Sequence, residues 1–243
     1  MNQANKTGGR KTRPRGVLWM ALGLCCLFAS LCLTLYNVYD DARAGSLSEA
    51  AVEELDEQRN ARLRAQKAAL SGTQTHMDGV MQNEAGISDE DGSQEDANAE
   101  SFIPDYKLNP DIPMPETVLS GNAYIGTLEL PALGLRLPVM SSWSYPNLRK
   151  SPCRYTGSTY QNNLIIAGHN YRRHFSGLKR MKAGEAVIFT DEAGNVFRYT
   201  VEKMERMDGY AVEQMQSGDW DLTLFTCTDG GRVRLALRCG LAE

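Results

Sequence analysis

Cys227, His169 and the arginines that follow Cys227 are the side chains of this chain whose types and placement suit covalent chemistry. Cys227 closes the apolar run Leu222-Thr223-Leu224-Phe225-Thr226-Cys227. Seven residues later Arg234 opens a second run, Arg234-Leu235-Ala236-Leu237-Arg238-Cys239, with Asp229-Gly230-Gly231 between them as a hairpin turn. Such a hairpin sets a thiol and a guanidinium at neighbouring positions on a rigid element. Upstream, Leu164-Ile165-Ile166-Ala167-Gly168 ends in His169-Asn170, so a histidine stands where an apolar strand leaves its sheet. A thiol attacks only as thiolate and needs a base or a positive partner nearby. Cysteine, histidine and arginine together supply a nucleophile, a proton carrier and a donor for a developing oxyanion.

Alternation along the second run sends Val233, Leu235, Leu237 and Cys239 to one face and Arg232, Arg234, Ala236 and Arg238 to the other. The apolar face must enter the core, and the arginine face then looks onto a groove or solvent. With Thr228–Gly231 as the loop, Arg232 stands across from Cys227 and Arg234 one pair farther along the same face. A shift of register changes that choice, so Arg232, Arg234 and Arg238 compete. A further reading is an exposed edge strand whose charges serve solubility. The chain has three histidines. His76 lies in a polar spacer and His174 in the basic loop Tyr171-Arg172-Arg173-His174-Phe175. His169 is therefore the stronger partner for the thiol, set against the plainer reading of a structural histidine. His169, His174, Cys227 and Cys239 show neither CxxC nor HExxH spacing, so no metal site is expected.

The elements that must position these residues punctuate like a small all-β domain. Residues 124–130 and 135–139 flank a Pro131–Gly134 turn, 163–167 form a strand, and 186–190 and 196–201 flank the hairpin connection Asp191–Asn195. Short spacing and glycine-rich turns favour a sandwich or closed barrel over a parallel sheet. Phe175–Met181 and Tyr210–Gln216 suit helical turns. Residues 117–243 are enough for one hydrophobic core. They carry 15 Lys and Arg against 12 Asp and Glu, a net +3, which points to no nucleic-acid partner.

Ahead of this domain lie an anchor and a spacer. Residues 1–15 hold Lys6, Arg10, Lys11, Arg13 and Arg15 and no acid, and residues 16–39 hold no charge. Twenty apolar residues in a helix span roughly 30 Å, the hydrocarbon core of a bilayer. With the bases on its N-terminal side, such a helix leaves the N-terminus in the cytoplasm and the rest of the chain outside. Ala42-Arg43-Ala44 suits signal cleavage, but the apolar stretch outruns a signal core, so a retained anchor is expected. Residues 46–70 read as a helix opened by the capping box Ser46-x-x-Glu49, with Leu47, Ala51 and Leu55 on a thin stripe, solvated or weakly self-associating. Residues 71–100, with eight acids and no base, read as a disordered spacer. Four prolines then mark an extended lead-in over 102–116. Outside the anchor stand Cys153, Cys227 and Cys239, an odd number for an exported domain, so at least one thiol is free.

The order of basic tail, single span, spacer and β-domain, with Ala167-Gly168-His169-Asn170, then Thr223-Leu224-Phe225-Thr226-Cys227 and Arg234-Leu235-Ala236-Leu237, resembles the sortases, cysteine transpeptidases of Gram-positive surfaces. The resemblance covers roughly residues 117–243 and implies an eight-stranded β-barrel with short helices. It implies His169, Cys227 and Arg234 as catalytic residues, with Arg232 as the alternative oxyanion donor, and Thr226 shaping the substrate groove. It further implies a thioester formed from an LPXTG-like sorting signal on secreted proteins. The acyl group then passes to an amine of a peptidoglycan precursor or a pilin. No cofactor is expected; some relatives bind calcium, and the acids of the 205–220 segment show no ligand rhythm for it. A cysteine peptidase and a non-catalytic surface-binding module are the other classes that suit the same residues.

Overall fold

The computed structural model describes residues 15–81 and 103–242, without the side chains of residues 15, 70–81 and 229. The chain divides into two units, Met1–Asp41 and Ala42–Glu243. One helix, α1 (Arg15–Met81), contributes to both. In the first unit its apolar side chains, from Val17 to Tyr39, are exposed. Among the described residues it is the one helix long and apolar enough to cross a membrane. The basic tail, apart from residue 15, and residues 82–100 of the acidic spacer lie outside the described residues. The spacer is helical farther than its composition suggests: α1 reaches Met81, so the segment expected to be unordered from residue 71 begins as helix. Extending a helix costs far less than nucleating one, and the Ala- and Arg-rich stretch before it supplies the nucleus.

In the second unit α1 buries one of its faces against the same chain. Ala44, Ser48, Val52, Leu55 and Arg59 recur every three or four residues and are all buried, whereas Leu47, expected on the buried stripe, is exposed. Leu55 packs with Leu119, Tyr124, Met140 and Cys153. Arg59 and Arg62 each lie 2.9 Å from the carboxylate of Glu192, and Arg59 also reaches the Thr127 hydroxyl at 3.2 Å. The Glu192 side chain is fully buried, so these two guanidiniums supply the charge that water cannot. Asp56 pairs with Arg136 beside them. The proline-rich lead-in holds a single helical turn, α2 (Asp105–Leu108), whose Tyr106 ring stacks on Tyr160 at 4.6 Å.

The rest is a closed barrel. Its strands are β1 (Thr117–Leu119), β2 (Asn122–Leu130), β3 (Leu135–Met140), β4 (Cys153–Thr156), β5 (Leu164–Gly168), β6 (Ala186–Asp191), β7 (Val196–Asp208), β8 (Leu222–Thr228) and β9 (Val233–Leu241). Two short helices, α3 (Tyr145–Leu148) and α4 (Val212–Gln216), interrupt them. Strands pair in the order β1-β2-β3-β4-β5-β8-β9-β7-β6, and β2 also pairs β6, so eight strands close a ring and β1 lies outside it. Closure brings Gly126 against β6, where a Cβ would collide with the Thr190 carbonyl; only glycine lets the two strands meet. The strands β1 and β4, three and four residues long, carry too little pattern to be read from sequence.

One cluster fills the barrel, with Ile125, Leu128, Val139, Leu164, Ile166, Val187, Phe189, Leu224, Leu237 and Cys239 at its centre. A second lies outside β5, β8 and β9, where Ile165, Ala167, Phe225 and Ala236 meet Met207 and Met215. Strands covered on both faces read as unbroken apolar runs, the pattern seen at 164–168 and 222–225. The second cluster also corrects the expectation for the arginine face of β9. Arg238 is not turned to groove or solvent but buried, bonded to Glu205, Thr223 and the carbonyls of Gln214 and Met215. Nor is β9 an edge, since β8 and β7 flank it.

Candidate active site

Strands β5 and β8 run parallel in register, Gly168 beside Thr226. His169 therefore follows the last paired position of β5 just where Cys227 follows it on β8, on strands ~4.8 Å apart. Gly168 is needed there: a Cβ would collide with the Phe175 ring, which plugs the barrel beneath the loop. On the other side β8 pairs antiparallel with β9, and Cys227 stands directly opposite Arg234. The loop is therefore Asp229–Arg232, two residues off the register that would have set Arg232 against Cys227. Arg232 is exposed and outside the ladder. Of the three competing arginines one is buried structure, one is in a loop, and Arg234 faces the thiol.

Arg234 is held before any substrate arrives. Its Nε donates to the Gly209 carbonyl at 2.8 Å, its guanidinium lies 5.4 Å from the centre of the Phe225 ring, and Nη1 is 3.5 Å from Cys227 Sγ. A planar fork anchored through one nitrogen leaves the others aimed past the sulfur, the position a carbonyl oxygen takes when a thiolate attacks its carbon. Cys227 is half-buried. The other two thiols of the domain are fully buried in different clusters, and all six cysteines are unpaired. Burial pushes Cys153 and Cys239 each up to about 12, which keeps them protonated and unreactive.

The His169 ring stacks on Tyr171, centroids 4.1 Å apart and 11° from parallel. Its Nδ1 accepts the Asn170 amide at 3.0 Å, so the neutral ring carries its proton on Nε2. His174 is the loop's anchor instead of a chemical group. It is wholly buried, with Nε2 3.1 Å from Ser48 Oγ on α1, and Ser48 in turn donates to the Lys150 carbonyl at 3.0 Å. Tyr171 contacts both rings, lying 5.5 Å from His174. The spacer helix is thus linked through His174 and Tyr171 to His169. Sequence reasoning missed Tyr171, Gly209, Phe225 and Ser48. Only Tyr171 carried a signal, as an aromatic two residues beyond the histidine.

Thr226 faces the opposite side of β8 from Cys227, toward the mouth of the barrel. On the outer face, Phe225 continues into an aromatic series, Tyr155 at 5.3 Å edge-on and Trp143 at 5.9 Å beyond, with Tyr145 exposed at its end. Among the described residues no three His, Cys, Asp or Glu side chains gather around a point that could hold a metal ion.

Residues 128–241 match the family model of the sortase domain. Sortase A from Corynebacterium diphtheriae is 19% identical over 50% of this chain and 62% of its own, with a TM-score of 0.46. Sortase C1 from Streptococcus agalactiae is 21% identical over 52% and 71%, at 0.45. A Clostridium perfringens sortase D5 transpeptidase is 17% identical over 57% and 88%, also at 0.45. No curated protein matches the chain.

Proposed function

We propose that this chain, whose residues 128–241 match the sortase-domain model, is a membrane-anchored cysteine transpeptidase of the sortase family acting on LPXTG-like sorting signals. The anchor is α1 over residues 16–39, with the N-terminus cytoplasmic and residues 117–243 as the extracellular catalytic domain. Residues 40–116 are the tether between them. The observation that supports the chemistry most is Arg234, fixed by Gly209 and Phe225, with Nη1 3.5 Å from the Cys227 sulfur on the paired strand.

In this reading His169 takes the Cys227 proton, and the thiolate attacks the carbonyl carbon that follows the signal's threonine. Negative charge moves to the carbonyl oxygen, where Arg234 donates to it. The carbon–nitrogen bond then breaks, and His169 Nε2–H protonates the departing amine, leaving a thioester on Cys227. In the second half an amine of a cell-wall precursor or a pilin attacks that thioester. His169 removes its proton, the carbon–sulfur bond breaks, and an amide joins the secreted protein to its acceptor. The aromatic series Phe225–Tyr155–Trp143 offers an apolar floor for the signal's leucine and proline.

The test is intact-mass detection of the thioester with a sorting peptide. Cys227→Ala is expected to lose the adduct completely, and an undiminished adduct in that variant overturns the assignment. Adding an amine separates a transpeptidase from a cysteine peptidase, since only the former yields a ligated product; acid as sole product points to the peptidase.

A further inference from the structure

Ser48 and His174 lie outside the acyl-transfer site, yet both are polar, both are buried, and they sit on two elements that meet. The loop that leaves β5 folds back on itself. The His174 and Ser176 amides both donate to the Tyr171 carbonyl at 3.1 Å, and the Phe175 amide donates to the His169 carbonyl at 3.2 Å. Beneath them Phe175 packs into the barrel against Gly168. Residues 169–176 are therefore one closed turn, and a displacement at 174 is carried back to 169. The spacer helix α1 braces this turn. At Gly45, which is buried, a Cβ would press on the Arg173 side chain. One helical turn on, the Ser48 hydroxyl gives its single hydrogen to the Lys150 carbonyl at 3.0 Å. Toward His174 it must then accept, so the 3.1 Å contact is a donation from the imidazole Nε2–H. That bond fixes both the tautomer and the plane of the His174 ring. Tyr171 contacts both imidazoles, tilted at 5.5 Å from His174 and stacked at 4.1 Å on His169.

We propose that Ser48 is a positioning residue for the transfer reaction: from the spacer helix it holds His174, which backs Tyr171, which in turn orients the His169 ring. The inference rests on the transpeptidase reading. His169 is exposed, and an exposed ring turns about its side-chain bonds unless a neighbour fixes it. To take the Cys227 proton and then protonate a departing amine, its Nε2 must keep one direction through both halves of the reaction. Tyr171 supplies that constraint by stacking, and it is backed by a histidine that cannot rotate while Ser48 holds its Nε2–H. A supporting layer of this kind locks the rotamer of the group that does the chemistry. Displacing such a group by about 1 Å costs up to roughly 10²-fold in rate. The brace is also separable from the docking of the helix. Leu55 packs on Leu119, Tyr124, Met140 and Cys153, none of which belongs to the His169 loop.

The experiment uses the full chain in detergent micelles and follows thioester formation with a sorting peptide. Ser48→Ala is expected to lower kcat roughly tenfold or more while KM for the peptide stays within about twofold. Ser48→Thr, which keeps the hydroxyl, should recover most of that loss. Leu55→Val loosens the same helix away from the loop and should leave kcat near the native value. A native kcat in Ser48→Ala overturns the proposal, and so does an equal loss in Leu55→Val, which would make helix docking alone the cause. If Ser48→Ala does not fold, Tyr171→Leu tests the same relay: a comparable loss of kcat at constant KM supports it, and an unchanged kcat overturns it. A second readout needs no substrate. The chain has three histidines, so isotope labelling at the ring Cε1 gives three signals in NMR spectra. The His169 signal should lie upfield in the native chain, shielded by the Tyr171 face, and move downfield in Ser48→Ala. Should no sorting peptide form a thioester with the native chain, the transpeptidase reading fails. The positioning of His169 is then judged by this signal alone: a downfield move in Ser48→Ala sustains it, and an unmoved signal overturns it.

Discussion

Arg234 shows how much of a residue's role depends on what holds it. Gly209 takes its Nε and Phe225 supports its plane, so the fork faces Cys227 without first losing conformational freedom. Lysine has one compact charge and no fork to divide between carbonyl and substrate. Arg234→Lys is therefore expected to lower kcat for thioester formation by roughly 10²–10³, the usual effect of removing an oxyanion donor, with KM for the peptide nearly unchanged. Thiol reactivity should separate in the same spirit. Cys153 and Cys239, pushed up to about 12 by burial, should resist iodoacetamide at pH 8 while Cys227 is carboxamidomethylated, as peptide mapping will read. Equal labelling of Cys227 and Cys153 would contradict the arrangement. The same two thiols give a sign for pH dependence. Their folded pKa lies above the ordinary 9.0, so the folded state keeps protons that the unfolded chain releases. Stability is full below about pH 9 and falls as pH rises toward about 12, which urea unfolding across that window will measure.

At the scale of elements, α4 and the spacer helix each explain a piece of the site. Arg238 ties the end of α4 to β8 and β9 through four bonds, and its Glu205 partner is held below the usual carboxylate range by Lys203 and by Arg238 itself. Arg238→Ala leaves two carbonyls and a hydroxyl without their donor, and is expected to destabilise by about 3–5 kcal/mol in chemical denaturation. On the spacer helix, Leu55 is fully buried against Leu119, Tyr124, Met140 and Cys153. Leu55→Ala should cost about 2–5 kcal/mol, whereas Leu47→Ala, at an exposed position about two turns earlier, should cost little. Apart from Leu55, that stripe escaped sequence reading because three of its five residues are Ala, Ser and Arg. Ser48 is buried where it bonds His174, and Arg59 where it supplies a charge for Glu192.

For the whole molecule, the unit boundary falls inside α1, after Asp41. Removing residues 1–41 should therefore leave the thermal midpoint of the remaining unit nearly unchanged. A chain that starts at residue 103 loses Arg59 and Arg62 and strands the buried Glu192 carboxylate, besides exposing the apolar patch around Tyr124. Its midpoint should drop sharply, and an unchanged midpoint would show that the helix adds nothing to the barrel. The compact unit thus begins at Ala42, ahead of the composition change near residue 117.

The sequence by itself determined the classes of group available and the strands that carry them: an apolar run ending in Gly168-His169, another ending in Cys227, and a hairpin short enough to return an arginine beside the thiol. Local patterns of period two and the sterics of glycine suffice for that. It also determined the long apolar helix, because twenty uncharged residues need no partner to be recognised. Only the tertiary structure decided which arginine meets Cys227, since a two-residue shift of register keeps every side chain on the same face and leaves no trace in the alternation. It alone decided that Arg238 is buried, that Thr226 faces the barrel mouth, and that a helix of modest hydrophobicity docks through Ser48, Leu55 and Arg59. Those outcomes depend on contacts between residues up to 133 positions apart, as in Arg59 with Glu192, and no local spacing encodes them.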